Sequence, residues 1–133
     1  MKRLFLLLMA VLTIVVGQAV SPQSEIVFDK TVHNFGSFPE TKPVVSCKFK
    51  FKNTGDAPLI INQAIASCGC TIPDFTEKPV MPGESGEINV TYNGTGRYTG
   101  KFKKVITVQS NAKTRLIRLY IEGEMTAAVG NQK

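Results

Sequence analysis

The amino-acid sequence predicts an all-β chain: one antiparallel sandwich of about seven strands. Three observations carry this. Beyond the first 19 residues, no segment sustains apolar residues at the three- and four-residue spacing of a helix face. Short alternating runs recur instead, separated by clusters of Gly, Pro, Asn and Asp. The gaps between most runs are too short for a crossover helix, which argues against a parallel sheet. A small closed barrel is the competing architecture.

In order along the chain, Ile26 and Phe28 open the first run. Val45, Cys47, Phe49 and Phe51 form the clearest one, with Ser46, Lys48, Lys50 and Lys52 on the other face. Period-two alternation turns the first set inward and the lysines to water. Asn53-Thr54-Gly55-Asp56 ends that strand with turn residues. Leu59 to Ala66 is the next strand and runs into Ser67-Cys68-Gly69-Cys70-Thr71. Met81-Pro82-Gly83-Glu84 is a tight turn before Gly86 to Tyr92. Asn93-Gly94-Thr95-Gly96 reads as hairpin chemistry leading to Lys101 to Ser110. Asn111 to Thr114 turns the chain into Leu116 to Gly123, where Ile117, Leu119 and Ile121 alternate with Arg118, Tyr120 and Glu122. A flexible tail is expected over 126–133.

The first 19 residues read as a secretory leader. Lys2 and Arg3 are a basic start, Leu4 to Val16 is apolar, and Gly17-Gln18-Ala19 offers small residues for cleavage after Ala19. Thirteen apolar residues are short of the roughly 20 a membrane span needs. No Cys stands near the end of that run, so no lipid-attachment signal is expected. The expected address is the periplasm or beyond, with one domain over 20–125. Of 16 basic side chains Lys2 and Arg3 leave with the leader; against 10 acidic ones the net charge falls from +6 to +4. An exported chain of such modest charge, with no dense basic cluster, is not a nucleic-acid binder.

Cys68 and Cys70 are the residues with most chemistry. In extended backbone their Cα atoms would lie roughly 6.5 Å apart, near the limit for a disulfide. A turn at Gly69 would bring them closer. They fit a structural bridge, a thiol-exchange pair, or a two-thiolate site for a soft ion such as Cu(I). Zn(II) would require four donors, with His33 and Cys47 joining them. Three cysteines cannot all pair within one chain. A bridge from Cys47 to Cys68 or Cys70, or an intermolecular bridge such as a disulfide dimer, therefore remains open. His33 has no nucleophile in a recognisable context and reads as a residue satisfying nearby backbone. Lys48, Lys50 and Lys52 form one stripe and Lys101 and Lys103 a second; both suit a solvated or edge-guarding face, or docking to anionic glycans or acidic partners. Asn89 and Asn93 open glycosylation-like triplets, of which Asn93-Gly94 is better read as hairpin chemistry. No phosphate loop, paired catalytic carboxylates, Ser-His-Asp order or calcium loop stands out, and no cofactor is implied.

A series of motifs runs through the mature chain: His33-Asn34-Phe35-Gly36, Phe49-Lys50-Phe51-Lys52-Asn53-Thr54-Gly55-Asp56, Ser67-Cys68-Gly69-Cys70-Thr71, Pro82-Gly83-Glu84, Gly100-Lys101-Phe102, Ser110-Asn111 and Ile121-Glu122-Gly123. In this order they resemble the bacterial domain-of-unknown-function 1573 family, common in Bacteroidetes, from about Glu25 to Met125. The resemblance implies an immunoglobulin-like sandwich related to abnormal-spindle/hydin and major-sperm-protein domains. It implies an exported, cell-envelope setting and no established activity. In that family the position of Cys47 is expected to hold an ordinary apolar residue. Cys68-Gly69-Cys70 is then a family marker at the end of a central strand.

The functional expectation is a non-enzymatic binding or assembly module of the envelope. Its partner would be an envelope protein or glycan, contacted through Ser67, Gly69, Thr71, Arg97 and Tyr98. The alternative is a thiol-redox or Cu(I) protein using Cys68 and Cys70.

Overall fold

The computed structural model describes Gly17 and residues 20–128, all in strands, turns and loops. The leader expected over 1–19 lies, Gly17 apart, outside the described residues, as do 129–133. Among the described residues eight strands form: β1 Ile26–Phe28, β2 Val32–Pro39, β3 Val44–Asn53, β4 Ile61–Ala66, β5 Thr71–Phe75, β6 Ser85–Asn93, β7 Gly100–Ser110 and β8 Leu116–Thr126. They build two four-stranded sheets, β1-β3-β6-β5 and β2-β8-β7-β4. Two separate sheets make this a sandwich and not a closed barrel.

Alternation explains the core. In β3, Cys47, Phe49, Phe51 and Asn53 are buried while Ser46, Lys48, Lys50 and Lys52 face water. Lys48 pairs with Glu87 at 3.2 Å across the outer face. Ile88, Val90 and Tyr92 of β6 meet Ile106 and Val108 of β7 and Leu119, Ile121 and Met125 of β8 in one continuous core. Phe38, Tyr92 and Phe102 fill one end of it; Tyr92 and Phe102 stack with ring centroids 4.0 Å apart, and Phe38 meets both edge-on. Gly86 stands opposite Phe51 in the β3–β6 register, and a Cβ there would run into the Phe51 ring.

Three features differ from the sequence expectation. The described residues form eight strands, two of which, β2 and β5, lie where the sequence reading placed no alternating run. β2 is irregular, with a bulge between Asn34 and Ser37 and Gly36 at φ 69°, so its alternation is broken. β5 carries Pro73, which a strand tolerates only at a sheet edge, and β5 is an edge. Second, β2 runs parallel to β8, pairing Val32 with Tyr120 and Pro39 with Thr126. Short loops forbid parallel pairing only between consecutive strands; here most of the domain is the connection. Third, Asn93-Gly94 does not turn a hairpin, since β6 and β7 belong to different sheets.

Each flank of the sandwich has a strand pair that changes sheets partway. On one flank β1 pairs with β3 and the chain then crosses to β2 beside β8. On the other, β4 pairs with β7, and the chain crosses through Cys68-Gly69-Cys70 to β5 beside β6.

Candidate functional site

The cysteine turn is the link that carries the chain from one sheet to the other. β4 and β5 are both edge strands, so the turn lies on a flank and not at the end of a central strand. Ser67 fixes its entry: its N–H donates to Val105 O at 2.9 Å, and its Oγ accepts from Val105 N at 3.3 Å. Two bonds fix its exit. Thr71 N donates to Cys68 O at 3.2 Å, and Asn93 N donates to Cys70 O at 2.7 Å. The turn shortens the Cα separation to 5.3 Å, and Cys68 and Cys70 are joined as a disulfide. Cys70 is buried and Cys68 half-buried, while Gly69 is exposed. The Thr71 hydroxyl lies 3.7 Å from Cys70 Sγ and 3.9 Å from Cys68 Sγ. Gly69 is not among the positive-φ glycines, and a Cβ on it would meet nothing within 4 Å. The bend is therefore held by the hydrogen bonds at its two ends, and not by glycine geometry.

Cys47 remains a thiol and is buried. Burial pushes it up to about 11, with the Lys30 ammonium offsetting part of the rise. Such a thiol is un-ionised at neutral pH and a poor nucleophile. His33 accepts from Lys30 Nζ at 2.8 Å through Nδ1 and packs edge-on against Phe35. Partial burial, then the Lys30 charge, lowers its pKa. Among the described residues no three His, Cys, Asp or Glu side chains gather as a metal site. In the bridged state Cys68 and Cys70 offer no thiolate.

The sequence-derived contact residues divide. Ser67, Gly69, Arg97 and Tyr98 are exposed, Tyr98 fully. Thr71, at 4% exposure, is interior and drops out of the contact surface. The bond from Asn93 N to Cys70 O places the loop after β6 beside the cysteine turn. Gly94 N donates to Pro43 O at 2.9 Å, adding the β2–β3 loop to the same pole. Ile72, 59% exposed, stands next to it on β5. Lys101 and Lys103 also line an open depression of about 640 Å³ with Glu122 and Glu124 over the β2 bulge.

Sequence reasoning missed two residues that organise the opposite pole. Asn53 has no solvent exposure. Its Nδ2 donates to Ala57 O at 2.7 Å and Val80 O at 2.9 Å; its Oδ1 accepts from Gly55 N at 3.0 Å and Glu25 N at 3.3 Å. Asn111 accepts from Ile60 N at 2.8 Å and Ser24 Oγ at 3.1 Å. The Asn-Thr-Gly-Asp and Ser-Asn motifs thus clamp the segment Gln23–Glu25 across the end of the sandwich. The signal was available: an Asn at an inward position of an alternating strand needs partners.

The fold has solved counterparts. A protein of unknown function from Porphyromonas gingivalis W83 superposes with a TM-score of 0.65 at 14% identity, covering 80% of this chain and 50% of that one. The ASH / PapD-like domain 7 of human CEP192 does so with 0.62 at 9% identity, over 88% of this chain and 96% of that domain. The periplasmic chaperone SfaE gives 0.57 at 8% identity, over 80% and 61%. The chain thus spans half the length of the P. gingivalis protein. At these identities the likeness shows the immunoglobulin-like, PapD-like fold. No curated protein matches the chain in sequence. The family model described as "Protein of unknown function (DUF1573)" matches residues 26–125, most of the chain, and the chain belongs to that family.

Proposed function

We propose that this protein is an exported, non-enzymatic binding or assembly module of the bacterial cell envelope. Its contact surface is the pole formed by the cysteine turn and the loop from Asn93 to Gly100. The observation that carries the reading is the meeting of these loops: the 2.7 Å bond from Asn93 N to Cys70 O sets them side by side, with Tyr98 fully exposed and Ile72 59% exposed. Exposed aromatic and apolar side chains on a rigid frame are what a protein partner binds. The basic, apolar start of the chain supports export. No helix among the described residues is long and apolar enough to cross a membrane. Similarity in fold to a periplasmic chaperone agrees with this setting and does not extend to that protein's partners.

The exposed position of Gly69 within the bridge favours a second reading, thiol exchange or Cu(I) binding at Cys68 and Cys70. It requires a dithiol to supply two electrons and two protons, leaving two thiols here and a disulfide on the donor. A bridge to a second copy through Cys47 would require β3 to open first, because that thiol is buried.

Photo-crosslinking in native cells tests the first reading. A photoreactive residue at Tyr98 or Gly69 is expected to trap a discrete partner, and one at Lys113 on the opposite pole is not. Equal trapping from both poles, or stoichiometric copper on the isolated protein, would overturn it.

A further inference from the structure

β4 covers only half of β7. Their pairing ends at Ala66 with Ile106, and the last contact is Ser67 with Val105. Residues 100–104 of β7 have β8 on one side and, among the described residues, no strand on the other. This leaves a slot in line with β4, closed at one end by Ser67 and the cysteine turn and at the other by the loop carrying Arg97 and Tyr98.

The register says which groups face the slot. Val105 uses its N–H and C=O toward Ser67. By antiparallel alternation the N–H and C=O of Lys101 and Lys103 point the same way, whereas Phe102 and Lys104 bond to Gly123 and Ile121 of β8. Four backbone groups are thus free along one line. The side chains around them are cationic. Lys101 and Lys103 are exposed on the outer face, and Lys104, on the inward-facing parity with Phe102 and Ile106, is half-buried at the open flank. The Lys48–Glu87 pair is the only ion pair within 4 Å among the described residues, so none of these lysines is so paired. Glu124 and Glu122 of β8 stand opposite Lys101 and Lys103 and share the outer depression with them, and Lys103 lies 5.0 Å from the Tyr120 ring centroid. Lys104, opposite Ile121, has no facing carboxylate on β8.

An inward-facing lysine at a bare edge repels a neutral or apolar strand, whose arrival would bury the charge unpaired. A strand that brings a carboxylate to it is accepted. We propose that the edge of β7 at Lys101–Lys104 receives an extended, acidic segment of a partner protein by strand addition in line with β4. The proposal rests on the binding-module reading and adds the chemistry of the partner.

The test uses the protein expressed from the full 133-residue frame and a ten-residue synthetic peptide alternating Glu and Val. A Gln–Val peptide and a Glu–Val peptide N-methylated at alternate residues are the controls. Binding is followed by amide exchange and shift changes. The expected result is slowed exchange at the Lys101 and Lys103 amides, with those of Phe102 and Lys104 unchanged because β8 already holds them. Affinity is expected to fall at least tenfold for the Gln–Val peptide, for the N-methylated peptide and for Lys104→Glu, and to weaken with added salt. Equal affinity for Glu–Val and Gln–Val peptides, or N-methylation without effect, would overturn the proposal. A sulfated oligosaccharide that shifts the lysine side chains, while no peptide protects Lys101 and Lys103, overturns it in favour of a glycan. Crosslinks from Tyr98 or Gly69 with no protection at the slot would sink this inference and leave the binding-module reading standing. Loss of the crosslinks removes that reading itself.

Discussion

Asn53 is the residue on which the pole opposite the cysteine turn depends most. All four of its side-chain hydrogen bonds are made without solvent. Asn53→Ala strands two carbonyls and two amides and is expected to cost about 3 kcal/mol in urea unfolding. A loss under ~1 kcal/mol would show that water replaces the side chain. Cys47 provides a pH test. Its folded thiol ionises only near 11, whereas an unfolded thiol ionises near ~8.5. As pH rises between those values the unfolded chain releases a proton that the native state keeps, so stability falls. Cys47→Ala is expected to flatten that part of the stability curve relative to the parent. Alkylation read by intact mass should add no group natively, one in denaturant, and three after reduction as well. Native labelling would place the thiol at the surface. The inward place of Cys47 was legible from its alternation with phenylalanines. The satisfaction of Asn53 was not, because its partners come from three separate loops.

At the scale of the element, the cysteine turn stabilises only locally. A bridge across three residues restricts little of the unfolded chain, roughly 1.5 kcal/mol on a loop-entropy basis. Cys68→Ser with Cys70→Ser is expected to keep the fold and lose about that much, half the effect of Asn53→Ala. Global unfolding of the double variant would mean that the link itself, and not its hydrogen bonds to Val105 and Asn93, holds β4 to β5. Gly69→Ala should be nearly neutral, since its φ is not positive and the added methyl meets open space. A loss above ~1 kcal/mol would contradict that geometry. β3, β6, β7 and β8 could be read from the sequence because each buries one face and wets the other. β2 and β5 could not, for a bulge breaks one alternation and a proline punctuates the other. The closeness of Cys68 and Cys70 was legible from spacing alone. Their position on a flank was not, because only long-range pairing decides which strands lie at an edge.

For the whole molecule, the last strand closes the fold. β8 sits between β2 and β7, and Met125 at its end is 1% exposed. Ending the chain after Gly123 removes Glu124 and Met125, the partners of Lys101 and Gly100, and the pairing of Ser37 to Pro39. Such a truncation is expected to abolish cooperative thermal unfolding; a retained sharp transition would show that β2 and β7 hold without it. Pairing between the second and last strands also predicts slow folding, in roughly the millisecond-to-second range of β-sandwiches. Stopped-flow refolding checks this.

The parallel run of β2 beside β8 also fixes how the domain answers a mechanical load. The chain enters at the pole of Gln23 and leaves β8 at the pole of the cysteine turn. Tension between those two ends draws β2 and β8 past each other lengthwise. Their interstrand bonds are then strained together in shear, not opened one after another from a free end. A protein placed between a wall and a moving partner would yield abruptly at high force, and it would hold its shape until then.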